Sequence, residues 1–342
     1  MARTVHAYAG IVLALVLMVV GLSGTLLVFK EDYVRATLPE AQHPVDLSPP
    51  SLGKVLQRAE EAFADRDIRA VTFAKPGFGV HKVYLADGGS AYLTREGRLI
   101  DQWAKNDRLE DWFLDLHHRL LVGQTGRWIT GLTGLAALMF VIAGVIAYWP
   151  ARRGFRRGFV VDGTSRPELL SLHRNSGIIA APIILIAVLT GVFMSFPATS
   201  RALFDQFGER VEKEVAPRVE SYTDVQWTNG LSNAQRAFPE AAPRIAIWPR
   251  NGGVPSVRMR QDAEWHPNGR TVVTFHPETG DILQTENALA LGSGRQAYNA
   301  VYPIHAAYIG GRAYDAVMAL TGLSMFGLGA IGAFTFIRQR FF

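Results

Sequence analysis

Four of the nine histidines in this 342-residue chain fall into two pairs. His117 and His305 lie 188 residues apart, and the same offset superposes Gly123 on Gly311, Gly134 on Gly322 and Gly144 on Gly332. An offset of 167 lays His6 on His173, Gly10 on Gly177 and Gly24 on Gly191. Each histidine stands close to one end of a long apolar run, so the offsets describe an internal repeat. Imidazole is a neutral nitrogen ligand near pH 7, and two imidazoles on opposite faces of a planar macrocycle hold haem iron. The spacing predicts two such sites, one on His6 and His173 and one on His117 and His305. The ordinary alternative is an interfacial imidazole at a membrane border, and four histidines on two repeat offsets weigh against it.

Four apolar runs must position these ligands: residues 7–29, 128–149, 175–197 and 314–337, each nearly uncharged. About 20 such residues, rising about 1.5 Å each as a helix, cross the roughly 30 Å of hydrocarbon in a bilayer. The first run follows Arg3 and carries the small residues Gly21, Ser23 and Gly24, as a secretory signal does. Its apolar part is too long for cleavage and no A-x-A-like site precedes Lys30, so it reads as a retained anchor. Between the second and third runs, Arg152, Arg153, Arg156, Arg157, Arg166 and Arg174 face only Asp162 and Glu168. That bias keeps a short loop cytoplasmic, and Arg3, Arg338 and Arg340 put both termini on the same side. The net charge of +5 then reflects topology, and no nucleic-acid partner is inferred from it.

The expected organisation is a membrane α-helical protein with two small α+β periplasmic domains, duplicated in tandem about a pseudo-two-fold axis along the membrane normal. The segments are a first span at 1–29, an outer domain at 30–111, an outer histidine segment plus second span at 112–149, a cytoplasmic loop at 150–174, a third span at 175–197, an outer domain at 198–300, and a last histidine segment and span at 301–342. In the first domain a helix over Leu52, Val55, Leu56, Ala59 and Phe63, capped by Ser51, precedes strands at Ala70–Ala74, Lys82–Leu85 and Ser90–Leu93 and an extended piece at Leu99-Ile100. In the second, a helix over Asp224–Ala237 precedes strands at Arg244–Trp248, Ser256–Arg260 and Thr271–Phe275, with Ile282-Leu283 following the Gly280 turn. Pro49, Pro50, Pro217, Asn229-Gly230 and Asn251-Gly252-Gly253 read as loops.

In this topology His6 and His173 stand at the cytoplasmic ends of their spans, and His117 and His305 just beyond the outer ends. From His6 to Gly24 is 18 residues, roughly 27 Å of helix, a plausible length for an electron wire. Gly10, Gly24, Gly177 and Gly191 either clear the face of a haem or let helices approach one another. Arg174, Arg119 and Arg312 are candidate partners of haem propionates, or plain anchors of helix ends. His118 is left as a substitute for His117 or a neighbour that supports it. His43, His81, His266 and His276 read as surface histidines, with Trp265-His266 able to touch a ligand.

The chain has no cysteine, so disulfides, iron–sulfur clusters and covalent c-type haem are excluded, and the expected cofactors are two haem b. The cytoplasmic loop of some 25 residues is shorter than a βαβ unit of about 30, so no intrinsic flavin or NAD(P)H domain is expected. Electrons would come from a separate cytoplasmic reductase or from membrane quinol.

The stretches Leu116-His117-His118-Arg119-Leu120-Leu121-Val122-Gly123, Leu172-His173-Arg174-Asn175-Ser176-Gly177 and Ile304-His305, joined to the small outer domains, resemble the PepSY-associated transmembrane proteins over essentially the whole chain. The resemblance implies PepSY-like outer domains in the inner membrane of a Gram-negative bacterium. It further implies reduction of a periplasmic ferric siderophore through two b-type haems. Related proteins carry a fused flavodoxin or reductase domain, whereas this chain stops at Phe342. Two other classes stay open: a periplasmic binding or regulatory protein without redox activity, and a siderophore or iron permease. The spans carry few charges and, beyond Pro182 and Pro197, no interruptions, which argues against the permease.

Overall fold

The computed structural model describes residues 2–150, 152, 155, 165–208, 218, 219, 222, 224–249 and 252–341, and the backbone alone for 2–7, 9 and 339–341. In chain order the helices are α1 (Ala2–Val28), α2 (Lys30–Thr37), α3 (Pro49–Ala62), α4 (Leu109–Arg119), α5 (Gly123–Tyr148), α6 (Arg166–Ser195), α7 (Pro197–Phe204), α8 (Trp227–Ala237), α9 (Ser293–His305) and α10 (Gly311–Phe341). The strands are β1 (Ile68–Thr72), β2 (His81–Leu85), β3 (Ser90–Leu93), β4 (Leu99–Trp103), β5 (Ala242–Ile247), β6 (Ser256–Arg260), β7 (Thr271–Phe275) and β8 (Ile282–Glu286). They form two compact units: a helical one from residues 1–30, 110–200 and 304–342, and a sheet-bearing one from residues 31–109 and 201–303.

The helical unit contains four helices long and apolar enough to cross a membrane, spanning Gly10–Val28, Gly123–Tyr148, Arg166–Ser195 and Gly311–Arg338. Their outward faces are apolar, with Val12, Met139 and Ile146 each about two-thirds exposed, as side chains meeting lipid must be. Small residues bring α1 and α10 together: a Cβ on Gly21 would lie 2.7 Å from the Gly322 carbonyl oxygen. At the same crossing, Thr25 Oγ1 donates across helices to Ala319 O at 3.0 Å. Between α5 and α6, Ala137 packs against Ile184, Val188 and Val192.

Each of the last three spans begins earlier than its apolar run. For α6 the cause is a capping box, in which the Ser165 N–H donates to Glu168 Oε2 at 3.0 Å. His173 therefore lies inside the helix. For α5 and α10 the cause is a reversal ending in glycine, since Gly123 and Gly311 take φ of 62° and 59°. That left-handed conformation is one glycine adopts freely. It separates α5 from α4, and α10 from α9, so His117 and His305 ride on short helices that fold back at the foot of a span.

In the other unit one antiparallel sheet runs in the order β4-β3-β2-β1-β5-β6-β7-β8. The two outer segments, expected as separate domains, are joined edge to edge: β1 pairs with β5, matching Val71 with Ala246. α3 and α8 cover one face, and Leu52, Leu56 and Leu231 pack there against Val71, Val83, Val257 and Phe275. Glu60 of α3 accepts hydrogen bonds from the indoles of Trp227 and Trp248, each at 3.0 Å. Burial raises its pKa.

Two turn expectations are corrected. Pro49 and Pro50 open α3 rather than lying in a loop, because proline suits the first helical turn, and Ser48 rather than Ser51 holds the capping position. Asn229-Gly230 lies inside α8, where Gly230 is required by packing: a Cβ there would meet the Phe275 ring at 2.4 Å. Pro217 and Asn251, and most of the arginine-rich loop, lie outside the described residues.

Candidate functional site

Within the helical unit His117 and His305 come together, their ring centroids 6.1 Å apart. Each ring is held in the same way. His117 Nδ1 lies 2.9 Å from Val20 O and 3.2 Å from Ser23 Oγ on α1. His305 Nδ1 lies 3.0 Å from Ala187 O and 3.0 Å from Thr190 Oγ1 on α6. A carbonyl oxygen can only accept, so Nδ1 must carry the proton, and the lone pair is left on Nε2. No hydrogen bond engages either Nε2 among the described residues. The hydroxyls of Ser23 and Thr190 donate back to Val19 O at 2.7 Å and Ile186 O at 2.6 Å, which leaves their lone pairs facing the imidazoles.

Gly24 and Gly191 make room for these rings. A Cβ would lie 2.9 Å from His117 Cε1 at Gly24 and 3.1 Å from His305 Cε1 at Gly191. In the structure the groups they admit are the imidazoles themselves, a role that the expectations of haem clearance and helix approach had not named. Gly10 and Gly177 differ, since a Cβ there would only touch Phe140 at 3.6 Å and Leu328 at 3.7 Å, ordinary packing distances.

The residues that seat the rings were not singled out from the sequence, although a signal was present. Val20 and Ala187, Ser23 and Thr190, and Gly24 and Gly191 all differ by 167, the offset of His6 and His173. A repeated hydroxyl one residue before a repeated glycine identifies the seat. Arg127, also not anticipated, donates from Nε to Ser195 O at 3.2 Å and from a terminal nitrogen to Met194 O at 3.3 Å, closing the end of α6.

His118 is exposed, with its ring 5.6 Å from that of His117, and the carbonyl seat belongs to His117. His173 lies in α6 opposite Gly332, where a Cβ would come 3.7 Å from its Cε1. His6 is on α1, but its side chain lies outside the described residues, so the His6–His173 pairing is carried by sequence alone. Arg119 pairs with Asp115 at 3.2 Å and Arg312 with Asp315 at 3.5 Å. Arg174 donates to Ser171 Oγ at 3.0 Å.

Two histidines expected at the surface are buried in the sheet unit instead. His81 is fully buried on β2, accepting from the Ala74 N–H at 3.1 Å, and desolvation pushes its pKa down to about 4. His266 is 5% exposed and stacks on Tyr302 at 4.9 Å. Its pKa falls well below the usual histidine range through burial and the nearby Arg270 and Arg258.

The chemistry of the His117–His305 pair fits a metal macrocycle. An imidazole nitrogen binds a first-row metal at about 2 Å, so two imidazoles on opposite sides of one ion have centroids roughly 6 Å apart. Among the described residues no cluster of three or more histidine, cysteine or acidic side chains competes as a metal site. A b-type haem asks the protein for two ligands only.

The family described as PepSY-associated TM region matches residues 3–339. No curated protein matches the chain.

Proposed function

The chain belongs to the PepSY-associated transmembrane family, and from that membership and the histidine geometry we propose that it moves electrons across the inner membrane to a periplasmic ferric chelate. The observation that carries the reading is the matched seating of His117 and His305, each with Nδ1–H on a helix carbonyl and Nε2 available at bis-imidazole spacing. His117 and His305 would hold one haem b and His6 and His173 a second, together supplying one-electron transfer between the two faces. The protein's part is to fix each tautomer, to raise ligand basicity through the Nδ1 hydrogen bond, and to hold the two sites apart along the spans. From His173 to Thr190, 17 residues of α6 separate the two levels, roughly 26 Å of helix.

No acid, base or nucleophile is needed for this reaction. Reduction would release iron because oxygen-rich siderophores suit hard Fe(III) far better than Fe(II). The arginine bias of the loop between the second and third spans supports a reading with the termini in the cytoplasm and the sheet unit in the periplasm, and the electrons would come from a cytoplasmic reductase or membrane quinol. The repeat offsets, the mirrored strand order and the paired seats support descent from a tandem duplication.

The reading is tested by an absorption spectrum of the purified, dithionite-reduced protein, followed by addition of ferric siderophore under a ferrous-iron indicator. The expected result is a low-spin spectrum, two haems per chain and prompt reoxidation with ferrous release. Loss of about one haem is expected in each of His117→Ala and His173→Ala. A protein that binds no haem, or whose reduced form is indifferent to ferric chelates, would remove the basis of the proposal.

A further inference from the structure

The sheet unit contains a cationic cluster that electron transfer does not use. On β6 the side chains of Val257 and Met259 enter the core beneath α8, so Arg258 and Arg260 project from the other face of the strand. Arg270 immediately precedes β7, the neighbouring strand. The Nε atoms of Arg258, Arg260 and Arg270 are all buried without an acceptor. Arg260 satisfies a terminal nitrogen on Glu264 O at 3.3 Å. No acceptor meets the guanidinium of Arg258 or Arg270 among the described residues.

The carboxylate at the centre of the cluster is committed elsewhere. Glu264 takes the Gln261 N–H at 3.1 Å, the Thr271 hydroxyl at 3.0 Å and the backbone N–H of Arg270. Glu286 also acts on Arg258, while Arg201 adds to the positive charge around Arg270. His266 supplies no charge, because its Nδ1 accepts from the Asn268 N–H at 3.2 Å and burial keeps it neutral. Desolvation and the charge of Arg270 lower the pKa of Arg258 to about 10. Neighbouring half-buried guanidinium groups whose Nε donors are buried and unmet are costly in isolation and favourable once an anion completes them. Tyr302, stacked on His266, supplies an aromatic wall.

We propose that Arg258 and Arg270, beside the His266–Tyr302 stack, form a binding site for an oxyanion of the carboxylate or phosphate class. The site lies wholly in the sheet unit and does not depend on haem. Its ligand is either a soluble carboxylate or phosphate, including an anionic iron chelate, or the phosphate of a lipid headgroup.

The test uses the purified full-length protein. In neutral detergent it is titrated calorimetrically at low salt with sodium phosphate, citrate and ferric citrate. In parallel, thermal stability is compared in nanodiscs of phosphatidylcholine with and without phosphatidylglycerol. Saturable binding of a soluble probe that weakens at least tenfold in Arg258→Gln and Arg270→Gln supports the site with a soluble ligand. A rise in Tm confined to phosphatidylglycerol discs, and lost in Arg270→Gln, supports the site with a lipid ligand. Should a glutamine variant not fold, Arg270→Lys keeps the charge and loses the planar fork, and the same weakening is expected. Silence of the wild-type protein toward every probe, or variants that bind as well as it does, would overturn the proposal.

Discussion

α1 and α6 each hold a histidine Nδ1 with a carbonyl and a hydroxyl, the arrangement a histidine needs if it is to offer Nε2 to a metal, as proposed here. The hydroxyl is the weaker half of the seat. Ser23→Ala and Thr190→Val should therefore keep the fold and lower metal or haem affinity by roughly tenfold, the low end for an outer hydrogen bond to a ligand. Gly24→Ala and Gly191→Ala should do more, because the new Cβ displaces the ring itself, whereas Gly10→Ala and Gly177→Ala should retain full haem content. Pyridine haemochrome assay of the four glycine variants checks the contrast, and equal loss in all four would show that the seats are ordinary packing.

His81 gives a pH prediction. Its folded pKa of about 4 lies below the value of about 6.5 it would have unfolded, so the unfolded chain binds the proton first. Stability is complete above about pH 6.5 and is lost as pH falls toward 4, by on the order of 3 kcal/mol. Thermal melts from pH 7.5 to 4.5 should show this slope, reduced in His81→Gln. The closeness of His117 and His305 was legible in the sequence because one repeat offset singled them out, while the His6–His173 pairing rests on the other offset alone. The burial of His81 and His266 was not, since a lone polar residue in a short strand gives no sign of which face it occupies, and one in the turn between β6 and β7 gives no sign of folding back onto Tyr302.

At the scale of elements, the glycines that start α5 and α10 separate backbone effects from packing effects. A Cβ at Gly123 or Gly311 meets nothing within 4 Å, yet both residues have positive φ. Alanine at either position should cost about 1 kcal/mol through conformation alone, and asparagine less. Gly230 is the reverse case. Alanine there gains roughly 1 kcal/mol of helix propensity but collides with Phe275, so Gly230→Ala should lower Tm. The long apolar helices and six of the eight strands were readable from periodicity to within a few residues, and β4 and β8 were anticipated only as Leu99-Ile100 and as Ile282-Leu283 after the Gly280 turn. Asn229-Gly230 misled because local turn chemistry was outweighed by a tertiary contact with a ring 45 residues away. The capping box over Ser165–Glu168 was present in the sequence, but the apolar run it extends drew the boundary too late.

For the whole molecule, the proposed topology is open to direct test because the chain has no cysteine of its own. A single cysteine at the exposed Glu278 of the sheet unit should react in spheroplasts with a membrane-impermeant maleimide. One at the exposed Arg152 should react only after lysis. The opposite pattern would invert the protein and place the His117–His305 pair on the cytoplasmic face.

The pairing of β1 with β5 also sets a clock. β1 ends at Thr72 and its neighbour begins at Ala242, so translation must proceed through 169 intervening residues, including two spans, before that edge can be covered. At about 5–20 residues per second this takes roughly 10–30 s. Throughout that interval β1, paired with β2 on its other side, presents one open edge, and antiparallel pairing lets that edge accept the same strand of a neighbouring nascent chain. Crowded synthesis should therefore favour intermolecular exchange of halves, and chaperones that shield strand edges should matter more for the yield of this protein than for its final stability.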